Sequence, residues 1–96
     1  MKLLFLICES AVESAVISML RELDVPGYTR LSNAIGDGRQ GRREGSPIWP
    51  GTNSILLIGV PENLQQPIVE RLRALSKDRE GRLAIKIFSV NAEDLL

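Results

Sequence analysis

An α+β sandwich built in the order β-α-β-β-α-β is what this sequence predicts, and three observations predict it. Residues 2–8 and 53–60 are apolar at both alternating parities, the pattern of central strands covered on both faces. Each of these runs leads into a stretch whose apolar residues recur at three and four, as on one face of a helix. Two further strand patterns, 28–35 and 83–90, complete the count, set off by turn-forming and glycine-rich segments.

The elements follow in order. After the first strand, Ser10 stands three residues before Glu13, a capping-box spacing that opens a helix over 11–23 with Val12, Ala15, Val16, Met19, Leu20 and Leu23 on its apolar face. Asp24-Val25-Pro26-Gly27 ends it and turns the chain. Strand two, 28–35, puts Leu31, Asn33 and Ile35 on one face and Arg30, Ser32 and Ala34 on the other. Past a long loop and the third strand, Asn63 and Gln66 repeat the capping spacing, with Leu64, Ile68, Leu72 and Leu75 along one helical face. Pro67 falls in the first turn, where a missing N–H does least harm. Residues 76–81 are a polar connection to the last strand, and an acidic tail closes the sequence.

This order is that of a ferredoxin-like sandwich: an antiparallel sheet, both helices on one face, strands one and three central, and a long loop between strands two and three. Ninety-six residues suit a single domain over 1–96. The uncovered side of the central strands would then expose a leucine- and isoleucine-rich patch too large for a typical monomer, so packing between copies is expected from the pattern itself. A chain this size also buries only about 60–65% of its unfolded surface, which points the same way.

Twelve basic residues balance twelve acidic ones, so no global field favours nucleic acid or anionic membrane. There is no histidine, which removes the commonest general base and metal ligand. The carboxylates are scattered, no nucleophile–base pair can be assembled, and the expectation is a non-enzyme with no metal site. The one cysteine, Cys8, ends an apolar strand and reads as a buried thiol; it cannot supply a C-x-x-C pair. The first apolar run is too short for a secretory leader, and nothing approaches the roughly eighteen apolar residues of a membrane span. A cytoplasmic protein is expected. The central strands carry aliphatics, Asn53 and Ser54 rather than the aromatics of RNA-recognition modules.

Chemistry is concentrated in residues 36–51, GDGRQGRREGSPIWPG. Gly36, Gly38, Gly41, Gly45 and Gly51 leave backbone amides open to a ligand, and Arg39, Arg42 and Arg43 add fork-shaped donors suited to phosphate or carboxylate. Gly36, Gly38 and Gly41 spell G-x-G-x-x-G, but Ser46-Pro47 and Trp49-Pro50 follow where a dinucleotide site needs a helix, and no acidic residue lies about twenty positions on. A structureless loop this long is uncommon unless functional, and its basic half could close on an anion; a solvated hairpin connection is the plainer alternative. Trp49 reads as a local packing anchor, or else as a stacking surface for a base or partner. Lys86, among Ile85, Ile87 and Phe88, is either an edge-strand lysine that blocks aggregation or a cation aimed into a cleft beside the loop.

The stretch Gly36-Asp37-Gly38-Arg39-Gln40-Gly41 after strand two resembles the K-G-F-G-R-Q opening of the T-loop in the nitrogen-regulatory PII family, and the chain looks like a divergent member. Gly27-Tyr28-Thr29 resembles that family's G-x-T, and Lys86-Ile87-Phe88 its K-I-F. The resemblance implies a homotrimer with an adenine nucleotide, bicarbonate or another small anion as effector in clefts between subunits, and no true cofactor. Gly36, Gly38, Arg39, Gln40 and Lys86 would contact phosphates, with Thr29 near a base or sugar. It further implies that the T-loop-like segment 36–51, with Arg42, Arg43 and Trp49, docks a protein partner such as a transporter or regulator. Departures stand beside it: the second glycine loop is here Glu80-Gly81-Arg82-Leu83-Ala84-Ile85 with one glycine, and the segment 36–51 has no tyrosine. A divalent-cation tolerance protein of the CutA type shares the topology, although the lack of histidine argues against it, and a ligand-independent interaction module is the other alternative.

Overall fold

Strands β1 (Lys2–Glu9) and β5 (Asn53–Val60) pair antiparallel along their whole length, from Lys2 opposite Val60 to Glu9 opposite Asn53. β6 (Ile85–Asn91) joins the free side of β1, and β2 (Thr29–Ala34) the free side of β5. The sheet order is therefore β2-β5-β1-β6, all antiparallel, with the two apolar strands central as expected. The computed structural model describes residues 1–38, 41–43, 52–78 and 84–96.

Helices α1 (Glu13–Glu22) and α2 (Gln65–Asp78) lie on one side of this sheet. Leu4, Leu6 and Cys8 of β1 and Ser54, Leu56, Ile58 and Val60 of β5 alternate onto that side and are buried. They meet Val12, Val16, Met19 and Leu20 from the first helical segment and Ile68 and Leu72 from the second. The 3.6-residue period of the helices and the period of two in the strands thus converge on one core. Arg30 of β2 reaches Glu13 of α1 at 3.1 Å across the rim of that core.

Neither expected capping box forms. Short 3-10 turns, Ser10–Val12 and Glu62–Leu64, precede the two helices, and no side chain caps them. Turn carbonyls accept the first amides instead, Glu13 N–H on Ser10 O and Gln65 N–H on Glu62 O, which is the other way to satisfy a helix start. The Ser10 hydroxyl is then free to pair with Thr52 Oγ1 at 2.8 Å.

Strand two also departs from simple alternation. Leu31 faces Ile55, but Ala34 rather than Asn33 faces Asn53, so one residue is extra. Asn33 takes it up with φ of 60°, a left-handed conformation that asparagine tolerates better than most side chains. The bulge moves Ala34 to the face opposite the one that strict alternation gives. Part of the expected loop is itself ordered: β3 (Gly36–Gly38) and β4 (Gly41–Arg43) pair as a separate small ribbon, Asp37 opposite Arg42. The last strand begins at Ile85 rather than at residue 83, which lies outside the described residues.

Candidate ligand site at one end of the open sheet face

Among the described residues, no segment covers the side of the sheet away from the helices. Along it run Leu3, Phe5 and Ile7 of β1, Ile55 and Leu57 of β5, Leu31 of β2, and Phe88 and Val90 of β6. The central residues are half-buried by their neighbours, while Leu31, Phe88 and Val90 on the edge strands are 51%, 57% and 47% exposed. A contiguous apolar face of this kind is uncommon on a protein that acts alone.

Lys86 belongs to this face. It lies on the edge strand β6 opposite Ile7, and its register neighbours Ile85 and Ile87 turn inward to the core. The alternation of the strand thus leaves the ammonium exposed at the border of an apolar surface. Thr29 is on the same face but on the other edge strand, opposite Leu57. Three interstrand spacings, about 14 Å, separate the two edges. Gly36 continues from the Thr29 edge, beyond the bulge, with the Asn53 side chain close against it: a methyl at Gly36 would come within 3.1 Å of Asn53 Nδ2. Among the described residues, Lys86 and the Thr29–Gly36 strand therefore lie on opposite edges, and a single copy does not bring them together.

Gly38 sits in β3 opposite Gly41. Arg42 and Arg43 have their backbone in β4, while their side chains, and Arg39, Gln40 and Trp49 altogether, lie outside the described residues.

Glu9, Ser10, Thr52 and Ala84, none of them singled out as ligand or partner residues in the sequence, organise this end of the sheet. Glu9 and Ser10, at the end of β1, hold the chain on both sides. Glu9 N–H donates to Ala84 O at 3.3 Å, and Ala84 N–H donates to Glu9 Oε1 at 3.0 Å. Ser10 N–H donates to Thr52 O at 3.0 Å beside the Ser10–Thr52 hydroxyl pair. Glu9, Asn53 and Ala34 share one cross-strand row. The sequence signal for this end is the charged residue that closes an apolar strand, which by itself reads only as a stop.

Cys8 is fully buried on the helix side, opposite Ser54. Burial, followed by the nearby charges of Glu13 and Glu9, pushes its thiol up from an ordinary 9.0 to about 11. Its thiolate fraction at pH 8 is then about a hundredfold lower than in the unfolded chain. Reaction with an aromatic disulfide reagent at pH 8 is expected to be at least that much slower in buffer than in denaturant; equal rates would contradict the buried thiol. The thiol's location opposes a role in metal binding or redox chemistry. A groove of about 310 Å³ also opens between the helices, walled by Ala15, Met19, Glu22, Arg71 and Leu75. It lies on the helical layer, on the other side of the sheet from Thr29 and Lys86.

The family description "Nitrogen regulatory protein P-II" matches residues 1–96, the full sequence. The chain belongs to the nitrogen regulatory P-II family. Among solved structures, a P-II-like protein from Thiomonas intermedia K12 bound to ADP, AMP and bicarbonate superposes with a TM-score of 0.74 at 24% identity, over 95% of this chain and 86% of that one. The same protein bound to ADP, AMP and acetate gives 0.72 at 22% identity, over 97% and 88%. A P-II-like signalling protein from Thermus thermophilus gives 0.70 at 25% identity, over 95% and 85%. No individually curated protein matches the chain.

P-II proteins are regulatory signalling proteins rather than enzymes. The match selects this family over the CutA-type alternative with the same topology, and the ferredoxin-like sandwich agrees with it in element order and sheet order. No described helix is long and apolar enough to cross a membrane.

Proposed function

We propose that this chain is a non-enzymatic P-II-like signalling protein of the cytoplasm. It binds a small anion, an adenine nucleotide with or without bicarbonate, in clefts between three copies, and reports to a protein partner, such as a transporter or regulator, through residues 36–51. The observation that carries the reading is the open sheet face, apolar across all four strands, with Lys86 on one edge and the Thr29–Gly36 strand on the other. Packing copies on that face covers the apolar surface and brings the two edges of different copies together. A cleft made this way would have Lys86 from one copy and the amides around Gly36 and Gly38, with Arg39 and Gln40, from the next. All three are phosphate-type donors: an ammonium, backbone N–H groups and a guanidinium fork. The nucleotides and bicarbonate held by the Thiomonas relative make these ligands the first to test.

Calorimetric titration with AMP, ADP, ATP and bicarbonate, alone and together, provides the test. At least one is expected to bind, with affinity reduced about tenfold or more in Arg39→Ala and in Lys86→Ala, the size of losing one charge-assisted contact. Binding that ignores both substitutions, or no binding at all, would remove the proposed site. In the latter case, a partner captured by the wild type and lost on deletion of residues 37–48 would favour the ligand-independent module.

A further inference from the structure

We infer that Asn53 is a positioning residue for the ligand site: its carboxamide wedges against Gly36 and sets where the ribbon β3–β4 leaves the sheet. This inference rests on the ligand reading above and deepens it, because Gly36 and Gly38 carry backbone amides of that site. The chain departs from the sheet at Gly36 and rejoins it at Asn53, the first residue of β5. These two roots touch. A Cβ added at Gly36 would stand 3.1 Å from Asn53 Nδ2, tighter than ordinary van der Waals contact. The φ of Gly36 lies outside the left-handed region, so its backbone conformation does not call for glycine. What the missing side chain admits is the Asn53 carboxamide.

Asn53 is held so that a methyl at Gly36 would displace the ribbon rather than the asparagine. The residue before it, Thr52, is tied to Ser10 through its carbonyl at 3.0 Å and its hydroxyl at 2.8 Å. Asn53 itself is half-buried, opposite Glu9 on one side and Ala34 on the other. The bulge at Asn33 is what brings Ala34 into this row. Directly opposed residues lie about 4.5–5.5 Å apart, and the Glu9 side chain is fixed on the Ala84 amide at 3.0 Å, so retreat towards β1 is restricted. On the other side, the carboxamide sets the first residue of β3. The amides of Gly36 and Gly38 follow from that residue through extended backbone, and a shift at the root is carried along the ribbon to them.

A double-mutant cycle tests the assignment, with ADP affinity by calorimetry and the thermal midpoint as its two readouts. Gly36→Ala in the otherwise wild-type chain is expected to weaken ADP about fivefold or more, part of one charge-assisted hydrogen bond, and to lower the midpoint. In the Asn53→Ala background the space is open. There the same change should alter ADP affinity less than about twofold, and should raise the midpoint rather than lower it, because it stiffens the unfolded chain. Asn53→Leu, which keeps nearly the same outline, should bind ADP more tightly than Asn53→Ala does. Loss of binding in Asn53→Leu equal to that in Asn53→Ala would mean that the amide acts by its polarity, and the positioning role would fall. A Gly36→Ala penalty of the same size in both backgrounds would show that the glycine serves the ligand's approach and not Asn53. A midpoint that responds as described while ADP affinity stays constant would make the contact structural only, and would also overturn the assignment. Each of these results leaves the ligand site standing, whereas failure of the wild type to bind ADP, AMP, ATP or bicarbonate removes the site and this inference together.

Discussion

Replacing Leu6 with alanine is expected to be the most damaging single change in the helix-side core, costing about 3–5 kcal/mol. Leu6 is wholly buried at the middle of β1, with Leu56 of β5 and Ile87 of β6 directly beside it in the ladder and both helices above. The loss combines the transfer of the missing atoms with a cavity that three rigid neighbours cannot collapse into. Sheet hydrogen bonds hold β1 on both sides, so the backbone cannot move in to fill it. Small domains have about 5–15 kcal/mol in total, and one of 96 residues belongs near the lower end. Urea titration at fixed protein concentration should show the midpoint falling by on the order of 2 M. Leu6→Met, which keeps the volume, should cost less than about 1.5 kcal/mol. A midpoint shift under about 0.3 M for the alanine variant would mean that the core is held elsewhere.

Leu6 also shows why the fold was legible. Its strand, and the strand opposite, are apolar on both parities, and only a central position with cover on both faces needs that. The helices were equally readable, because Val16, Leu20, Ile68 and Leu72 all sit at the spacing that a buried face requires. What failed were local alternatives of nearly equal energy. Ser10 and Asn63 have cap-forming side chains, yet a 3-10 turn satisfies the same amides, and Ser10 found a hydroxyl partner 42 residues away. Asn33 looked like an ordinary strand residue, and nothing short-range announces that it takes a positive φ and shifts the register of Ala34. The arrangement of the candidate residues was not legible. Lys86 and Thr29 were named from the sequence, whereas their placement on opposite edges is set by strand order. Glu9 carries no short-range signal either, because Ala84, whose amide it accepts, is distant in sequence.

Ile55→Asp should convert the assembled protein to single chains. Ile55 stands on a central strand of the open face, between Ile7 and Leu31, where the proposed contact between copies would be driest. A carboxylate there has no partner among the aliphatic neighbours in its row. Burying it against another copy would cost several kcal/mol, comparable to the whole margin of a modest interface. The isolated fold should survive, because the core that holds the chain together is on the other side, in Leu4, Leu6, Leu56, Ile58, Ile68 and Leu72. Sedimentation at micromolar concentration is expected to give three times the chain mass for the wild type and one chain mass for Ile55→Asp, with a near-native far-UV spectrum. Anion binding should vanish with assembly, since Lys86 and the Gly36 strand would no longer meet. Lys86→Ala separates the two effects: it should weaken the ligand and keep the three-chain mass. A wild type that sediments as one chain, or an Ile55→Asp variant that stays assembled, would show that the apolar face is not where copies join, and the inter-subunit cleft would have no basis.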